Sequence, residues 1–414
     1  MKIAVIGSGI AGLASAWLLS REHEVTLFES ESRLGGHTHT HRVESGGRTW
    51  SVDSGFIVMN GAHYPLFSRF LQELGVPTQP TVMSFGAHEV ATGYEYNATS
   101  IPKLFCQPSN VLSIPHWQMI RDILRFYKEA PALLVGDDAG PSLGEYLERG
   151  PYSRAFRDRH LIPMASALWS SPATQILDFP ARYLVQFMAN HQMLSASDRP
   201  TWQVVRGGSS TYIDAVQNKW SATVRLNSRV LQVRRLADGI GVRTTDGESV
   251  FDQAVLACHS NQALALLEAP TAAENEVLGA IGFQVNDTVL HTDTRLLPKR
   301  RSAWAAWNAL IFPEPEQPCT VTYHMNQLQS LAAADQFCVT LNCTDRIDPA
   351  CVIARMRYEH PIYTHASVAA QKRRHEINGV DRLWFAGAYW AFGFHEDGMR
   401  SAVDVARGLG VAWA

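Results

Sequence analysis

The apolar residues at the start of the chain fall into three groups. Residues 2–6 (Lys-Ile-Ala-Val-Ile) and 24–28 (Glu-Val-Thr-Leu-Phe) are short apolar runs that predict buried strands. Residues 13–20, which lie between the two runs, predict a helix. The order strand, helix, strand predicts a βαβ unit and therefore a parallel sheet.

Three glycines separate the first predicted strand from this helix. Gly7, Gly9 and Gly12 have the spacing of a dinucleotide-binding turn, where they make the turn, admit a pyrophosphate and let helix and strand pack. Free N–H groups at the helix N-terminus favour phosphate. Glu29, directly after the second strand, is placed to accept hydrogen bonds from ribose hydroxyls. The predicted nucleotide-binding residues are Gly7, Ser8, Gly9, Ile10, Ala11, Gly12, Glu29 and Ser30.

The remaining apolar pattern contains both helical and strand-like segments. Helices are predicted over residues 64–74, 117–134, 142–148, 152–168, 180–193, 211–220 and 400–409. Strands are predicted over residues 83–88, 93–97, 223–226, 229–236, 239–245, 250–257, 289–292, 303–310, 319–324 and 337–341. Ser142 and Glu145 predict a capping box, and Asp-Gly pairs at 238–239 and 246–247 predict hairpins.

Composition and charge narrow the possible classes of protein. The 414 residues are 46% hydrophobic and 18% charged, and this length predicts two domains. A net charge of −3 argues against a nucleic-acid partner. No apolar run is long enough to cross a bilayer and no signal peptide is recognisable, so we expect a cytoplasmic protein, with peripheral membrane contact left open. The six cysteines form no Cys-x-x-Cys pair and are expected to be free.

A second glycine pair, Gly35-Gly36, follows Arg33 and precedes His37-Thr38. A cofactor that extends beyond the pyrophosphate would benefit from a second close approach of the chain. In these segments the sequence resembles the superfamily of FAD-dependent amine oxidases and phytoene desaturases, in which an Arg-x-Gly-Gly segment follows the nucleotide fingerprint. The resemblance implies FAD as the cofactor.

Further segments carry the same resemblance. Gly55 lies in a stretch that resembles the one passing the isoalloxazine face, where glycine leaves room for the ring, and Val230 matches the position whose backbone pairs with adenine. Residues 387–399 resemble the closing segment, whose helix is expected to start near residues 397–398 and to direct its N–H groups at the flavin. The residues implied to contact FAD here are Arg33, Gly35, Gly36, His37, Thr38, Gly55, Val230, Gly387, His395, Asp397, Gly398 and Met399.

The resemblance also implies the domain organisation. The expected fold is α/β, with an α+β substrate-binding domain inserted into a Rossmann-type FAD-binding domain. The FAD-binding domain is expected to comprise residues 1–60, 205–280 and 375–414. The substrate-binding domain is expected to comprise residues 61–204 and 281–374, with helices that wall an apolar cavity.

The whole chain is more similar to a bacterial group of NAD/FAD-binding oxidoreductases that are associated with cyclopropane fatty acid synthases. Residues 35–38, 190–194, 323–329 and 393–399 carry this similarity. It implies hydride transfer between flavin N5 and an apolar small molecule, an unsaturated or modified fatty acyl chain. A flavin amine oxidase and a non-redox flavin mutase or isomerase are the alternatives.

Four polar residues are candidates for the groups beside the flavin. These catalytic candidates are His37, Asn286, Tyr323 and His324. Asn286 falls where amine oxidases of the superfamily carry a lysine that holds a water near flavin N5, which weighs against an amine substrate. Tyr389 and Trp390 are candidates for an aromatic cage around an amine, and His191 for a general base or polar anchor.

The alternation of His37, His39 and His41 bears on metal binding and on covalent attachment of the flavin. On a strand the three rings would share one face, as metal ligands can, but no Cys or second His cluster accompanies them in the sequence. We therefore expect no metal. A covalent link between His37 and the flavin is also disfavoured.

Overall fold

The computed structural model describes residues 1–136, 139–195, 200–313 and 320–413. The strands are β1 (Lys2–Ile6), β2 (Glu24–Phe28), β3 (Thr40–Ser45), β4 (Arg48–Asp53), β5 (Val58–Asn60), β6 (Thr78–Thr81), β7 (Phe85–Glu89), β8 (Tyr94–Asn97), β9 (Trp202–Val205), β10 (Thr223–Arg225), β11 (Val230–Arg235), β12 (Ile240–Thr244), β13 (Gly247–Phe251), β14 (Gln253–Leu256), β15 (Phe283–His291), β16 (Trp307–Ile311), β17 (Thr320–His324), β18 (Cys338–Leu341), β19 (Val352–Pro361) and β20 (Leu383–Phe385). The helices are α1 (Ile10–Leu19), α2 (Pro65–Leu74), α3 (Ile101–Leu104), α4 (Ile114–Glu129), α5 (Leu143–Arg149), α6 (Arg154–Phe156), α7 (Ile162–Trp169), α8 (Ala173–Leu177), α9 (Ala181–Asn190), α10 (Thr211–Gln217), α11 (Ser260–Leu266), α12 (Ala272–Gly279), α13 (Met325–Leu328), α14 (His365–Lys372) and α15 (His395–Gly408).

The glycine turn belongs to a parallel sheet of five strands in the order β10-β2-β1-β14-β20. Its central strands are buried, as in other parallel sheets that helices cover on both faces. Helices α1 and α15 pack so closely that a Cβ at Gly398 would lie 2.6 Å from Ile10 Cγ2. This architecture confirms the predicted α/β fold with a Rossmann-type sheet.

A mixed sheet of seven strands has the order β19-β15-β18-β17-β16-β7-β8. Its neighbouring strands are antiparallel except for β7 and β16. Strands β11, β12 and β13 form an antiparallel meander with turns at the two Asp-Gly pairs predicted to form hairpins. Two smaller sheets, β3-β4 and β5-β9-β6, complete the described strands.

The strands differ from the sequence prediction at two places. The strand expected over residues 250–257 is divided at Asp252 into β13 and β14. The Lys2 N–H donates to the Asp252 carboxylate (2.6 Å) and the Asp252 N–H donates to the Lys2 carbonyl oxygen (2.8 Å), and these bonds connect the chain to the parallel sheet. The chain becomes helical at Met325, directly after β17. Strand β19 was not predicted at all, and Cys319, the first residue of a predicted strand, lies outside the described residues.

The helical region between β8 and β9 forms a large apolar cluster. The capping box of Ser142 and Glu145 is present and confirms the start of α5. A π-helical turn over Arg157–Leu161 joins α6 to α7, which explains why one longer helix was predicted there. None of the described helices has the length and apolarity that crossing a membrane requires.

Helix α2 packs against the core around the nucleotide-binding helix. The Phe70 ring lies edge-on to Trp17 of α1, with 4.9 Å between ring centroids. The expected domain boundaries put α2 in the substrate-binding domain, whereas its buried face belongs to the same core as α1. The boundaries themselves stay a prediction.

Candidate functional site

A continuous cavity of about 1390 Å³ links the glycine turn to the apolar helices. Small-molecule pockets usually measure roughly 300–1,000 Å³, so this cavity has room for a long cofactor together with a substrate. The predicted site residues that line it are Gly7, Ser8, Gly9, Ile10, Ala11, Glu29, Ser30, Arg33, Gly35, Gly36, His37, Gly55, Tyr323, Gly387 and His395.

The nucleotide end of the cavity is organised by Glu29, at the carboxyl end of β2. Its carboxylate accepts hydrogen bonds from the backbone N–H groups of Ser8 (3.0 Å) and Glu31 (2.9 Å), and from the Ser8 hydroxyl. The carboxylate therefore fixes the glycine turn against the second strand. The Ser30 hydroxyl donates a fourth hydrogen bond to this carboxylate (3.2 Å), and Glu29 also lines the cavity, where ribose hydroxyls are expected.

The three glycines of the turn serve different purposes. Gly7 has a φ of +100°, and a Cβ at Gly12 would lie 1.9 Å from the Gly7 carbonyl oxygen. Those two glycines are required by the fold itself. Gly9 lines the cavity, and its Cβ position has no neighbouring atom within 4 Å. Gly9 therefore leaves room for a ligand.

Replacing Glu29 by alanine should lower FAD affinity about tenfold to a hundredfold, because hydrogen bonds to a charged group contribute about 1.5–3 kcal/mol. Flavin titration of the apoprotein measures the change. Glu24→Ala, at the exposed start of the same strand, is the matched control and should bind FAD normally. Unchanged FAD affinity in Glu29→Ala would contradict the ribose contact.

At the centre of the cavity, the chain after the second glycine pair crosses the chain around Gly55. The Phe56 N–H donates to the His37 carbonyl oxygen (2.8 Å), and a Cβ at Gly55 would lie 1.9 Å from that oxygen. Gly55 is thus required by the crossing of two chain segments, and it also lines the cavity. That it leaves room for the flavin ring stays a prediction. Gly35 and Gly36 adopt positive φ values of 115° and 56°.

His37 belongs to a group of rings that sequence analysis did not bring together. Its ring centroid lies 5.0 Å from that of Tyr358, 5.3 Å from His360 and 6.0 Å from His259. Burial, with the nearby His360 and His259, holds the pKa of His37 well below its usual value. Burial and His259 lower the pKa of His360 to about 4. His37 and His360 are therefore neutral near pH 7.

The three N-terminal histidines do not lie on one strand, because β3 begins only at Thr40. The rings of His39 and His41 lie 4.0 Å apart and are tilted by 36°, and His39 Nδ1 lies 3.1 Å from the Tyr358 hydroxyl of the His37 group. The second histidine cluster that the sequence did not reveal comes from His259 and from His360 on β19. The described residues contain no group of three or more His, Cys, Asp or Glu side chains suited to a metal ion.

His324 lies outside the cavity lining. Strand alternation directs Tyr323 into the cavity and turns His324 away, so that His324 Nε2 lies 2.8 Å from Gln336 Oε1. Trp390 is also outside, with its indole N–H donated to the Phe385 carbonyl oxygen (3.1 Å), whereas Tyr389 lines the cavity.

Asn286 touches a cavity residue without lining the cavity. Its amide nitrogen lies 3.0 Å from His360 Nδ1, and it also receives a hydrogen bond from Asn342 (2.7 Å). Thr288, two residues further along β15, lines the cavity instead. Asn286 is therefore placed to orient His360.

The closing helix α15 begins at His395, two residues before the expected start. Asp397 accepts the Phe394 N–H at 3.0 Å and caps the helix, while burial raises the pKa of Asp397 to about 6. Gly398 packs on Ile10, and Met399 is fully buried in the core. Asp397, Gly398 and Met399 were predicted to contact FAD. In the structure they stabilise the helix that carries His395.

Two other predicted contacts lie behind the cavity wall. The Thr38 hydroxyl lies 3.0 Å from His395 Nε2 and 2.6 Å from the Tyr212 hydroxyl, so it orients His395. Val230 follows Ser228, whose N–H donates to the Glu29 carbonyl oxygen (2.8 Å), but Val230 does not line the cavity. The adenine contact of Val230 stays a prediction.

The far end of the cavity is an apolar channel between α4 and α7. We define the channel by its aliphatic lining residues Ile120, Ile123, Leu124, Met164 and Leu168. Aromatic side chains extend the wall toward the centre: Tyr127, Trp169, Phe187, Trp307 and Tyr323. His191 also lines this end, with its Nδ1 bonded to the Phe187 carbonyl oxygen (2.9 Å) and its pKa lowered to about 4 by burial.

A sequence model of the flavin containing amine oxidoreductase family matches residues 10–318. A Mycobacterium tuberculosis protein that carries the name flavin-containing monoamine oxidase AofH is 28% identical over 256 residues, which cover 60% of this chain and 55% of that protein. The matched part is thus little more than half of that relative's length.

Two solved structures have the same fold over nearly the whole chain. An Exiguobacterium protein described as a protoporphyrinogen oxidase has a TM-score of 0.70 at 16% identity, covering 99% of this chain and 98% of that one. A fatty acid isomerase from P. acnes that produces CLA has a TM-score of 0.68 at 16% identity, covering 98% of each chain. At these identities the likeness concerns the fold.

Proposed function

The chain belongs to the flavin containing amine oxidoreductase family, and from this premise we propose that it is an FAD-dependent oxidoreductase acting on an apolar substrate, an unsaturated or modified fatty acyl chain. The observation that carries the proposal is the continuity of the cavity. It joins a nucleotide-binding turn to a channel lined by aliphatic side chains.

The cavity fits FAD by criteria independent of the family. The N-terminus of α1 has no capping side chain and opens onto the cavity, which suits a pyrophosphate. Gly9 leaves space beside that helix end. His37 Nε2 is buried without a hydrogen-bond partner among the described residues, as expected of a group that awaits a ligand.

When bound, the flavin would supply a two-electron acceptor at N5. The protein binds the cofactor through the glycine turn and Glu29, and excludes water with the aromatic wall. Burial keeps His37 and His360 uncharged near pH 7, so neither places a positive charge in the cavity. Asn286 and Thr38 act as positioning residues for His360 and His395.

Two observations favour an acyl substrate over an amine. The resemblance implies that an amine oxidase would carry a lysine on β15, but Asn286 and Thr288 occupy that stretch, and no lysine lines the described part of the cavity. Only Tyr389 of the expected aromatic pair reaches the cavity.

Anaerobic mixing of the flavin-loaded protein with candidate substrates tests the proposal. We expect an unsaturated fatty acid or phospholipid to bleach the oxidised flavin absorbance, and primary amines to leave it unchanged. Bleaching by an amine alone would establish the amine oxidase alternative. A substrate that is isomerised only after chemical prereduction of the flavin would establish the mutase alternative.

A further inference from the structure

We propose that the protein docks on the surface of an anionic phospholipid bilayer, and that the apolar channel opens at the docking site. The docking patch consists of six exposed apolar residues: Ile101, Val111, Leu112, Ile114, Trp117 and Leu124. The role of this patch as a substrate entrance rests on the proposed function, whereas the binding to the bilayer does not.

Exposed apolar side chains are concentrated in the docking patch. Leu112 is 89% exposed, Ile101 74% and Ile114 72%, and six of the sixteen exposed large apolar residues in the described chain fall within residues 101–124. Single exposed apolar residues are normal, but a contiguous group marks an interaction site.

Helix α4 presents this apolar face with helical spacing. Its outer side carries Ile114, Trp117 and Leu124, at intervals of three and seven residues, while Met119 and Phe126 are buried on the inner side. The Trp117 indole N–H donates to the Val111 carbonyl oxygen at 2.9 Å, so it ties the 3-10 turn before α4 to the helix. The patch is therefore a fixed surface.

Charge around the docking patch favours an anionic membrane. Residues 101–129, which end with α4, contain four basic and two acidic residues, in a chain whose net charge is −3. Arg121 and Lys128 lie on the outer side of α4 beside the apolar residues. Asp122 is buried and pairs with Arg121 (3.0 Å) and Arg125 (3.5 Å), and Glu129 lies 3.8 Å from Arg125. Lys103 and Lys128 form no ion pair with the described residues, so they supply the cationic charge of this segment. Apolar residues flanked by cations are typical of helices that lie in the membrane interface.

The docking patch is continuous with the channel. Leu124 and Ile101 are exposed and also line the cavity, and Leu104, Ile120 and Ile123 follow behind them. An acyl chain leaving a bilayer at this face would pass from the membrane interior into an apolar passage without crossing water.

Vesicle co-sedimentation of the flavin-loaded protein tests the inference without turnover. We expect binding to vesicles of phosphatidylglycerol and phosphatidylcholine, weakened by high salt and by omission of phosphatidylglycerol. The double variant Leu112→Asp/Ile114→Asp changes two patch residues that do not line the cavity and should bind about tenfold or more weakly, because two apolar anchors become charges. The matched control, Val250→Asp/Ile353→Asp, changes exposed apolar residues on the meander and on β19 and should bind as the wild type.

Flavin content and circular dichroism establish that both double variants are folded. Wild-type protein that stays in the supernatant, or a patch variant that sediments as well as the control, would overturn the inference. The inference would also be overturned if the docking patch holds two copies of the chain together. That result would appear as a dimer of the wild type and of the control variant that the patch variant does not form. If detergent-dispersed lipid bleaches the flavin but the protein does not bind vesicles, the docking inference is refuted and the proposed function stands.

Discussion

Replacing Gly9 by alanine should leave the fold intact and remove most of the affinity for FAD. Gly9 has a φ of −62° and a ψ of 176°, which alanine adopts without strain, and no atom lies within 4 Å of its Cβ position. The added methyl would instead occupy the cavity where a pyrophosphate approaches α1. Overpacking typically costs about 1–3 kcal/mol, so FAD affinity should fall about fivefold to a hundredfold.

Gly12→Ala provides the contrasting variant. Its Cβ would meet the Gly7 carbonyl oxygen at 1.9 Å, so α1 must shift from the strand and the apoprotein should melt at lower temperature. Thermal unfolding of the apoproteins, combined with flavin titration, separates the two effects. If Gly9→Ala retains wild-type FAD affinity, the pyrophosphate does not lie beside Gly9.

Leu168→Trp should abolish bleaching of the flavin by acyl lipids while preserving flavin binding. Leu168 lies on α7 and lines the apolar channel, whereas the glycine turn lies between β1 and α1. An indole in place of the isobutyl group would narrow the passage, and the chain of a lipid cannot bend around a fixed obstruction in a packed wall. Single-turnover anaerobic reduction measures the effect, with a loss of roughly a hundredfold or more expected if entry is blocked.

The volume-conserving variant Leu168→Met is the control for this prediction. Methionine keeps the apolar surface and approximate volume, so its reduction rate should stay close to that of the wild type. Equal rates for the tryptophan and methionine variants, with full flavin content in both, would show that the substrate does not use this channel.

The nucleotide end could be predicted from sequence because its determinants are local. Gly7, Gly9 and Gly12 lie in one turn, Glu29 ends the next strand, and the apolar runs on either side have strand length. The same holds for the capping box at Ser142. In each case the interacting residues are close enough in sequence for spacing alone to indicate the contact.

The centre of the site could not be predicted in this way because long-range pairing assembles it. His37 and His360 are distant in sequence, and β19, which carries His360, is held by pairing with β15. The alternating apolar residues of β19 were a usable signal for a strand, though not for that partner. Likewise Gly55 and Gly398 are glycines because distant segments cross them, as the contacts with His37 and Ile10 show. A motif indicates that a glycine is needed, but it does not indicate which neighbour requires it.

The strand order of the parallel sheet also determines when the cofactor site forms during synthesis. Strand β1 pairs with β14, β14 pairs with β20, and α15 packs on α1, so the first and last segments of the described chain share one core. Contacts of such high sequence separation form slowly, because loop closure must precede them. The core around α1 is therefore complete only once β20 and α15 are in place, so the cofactor site depends on contacts between the most distant segments of the described chain.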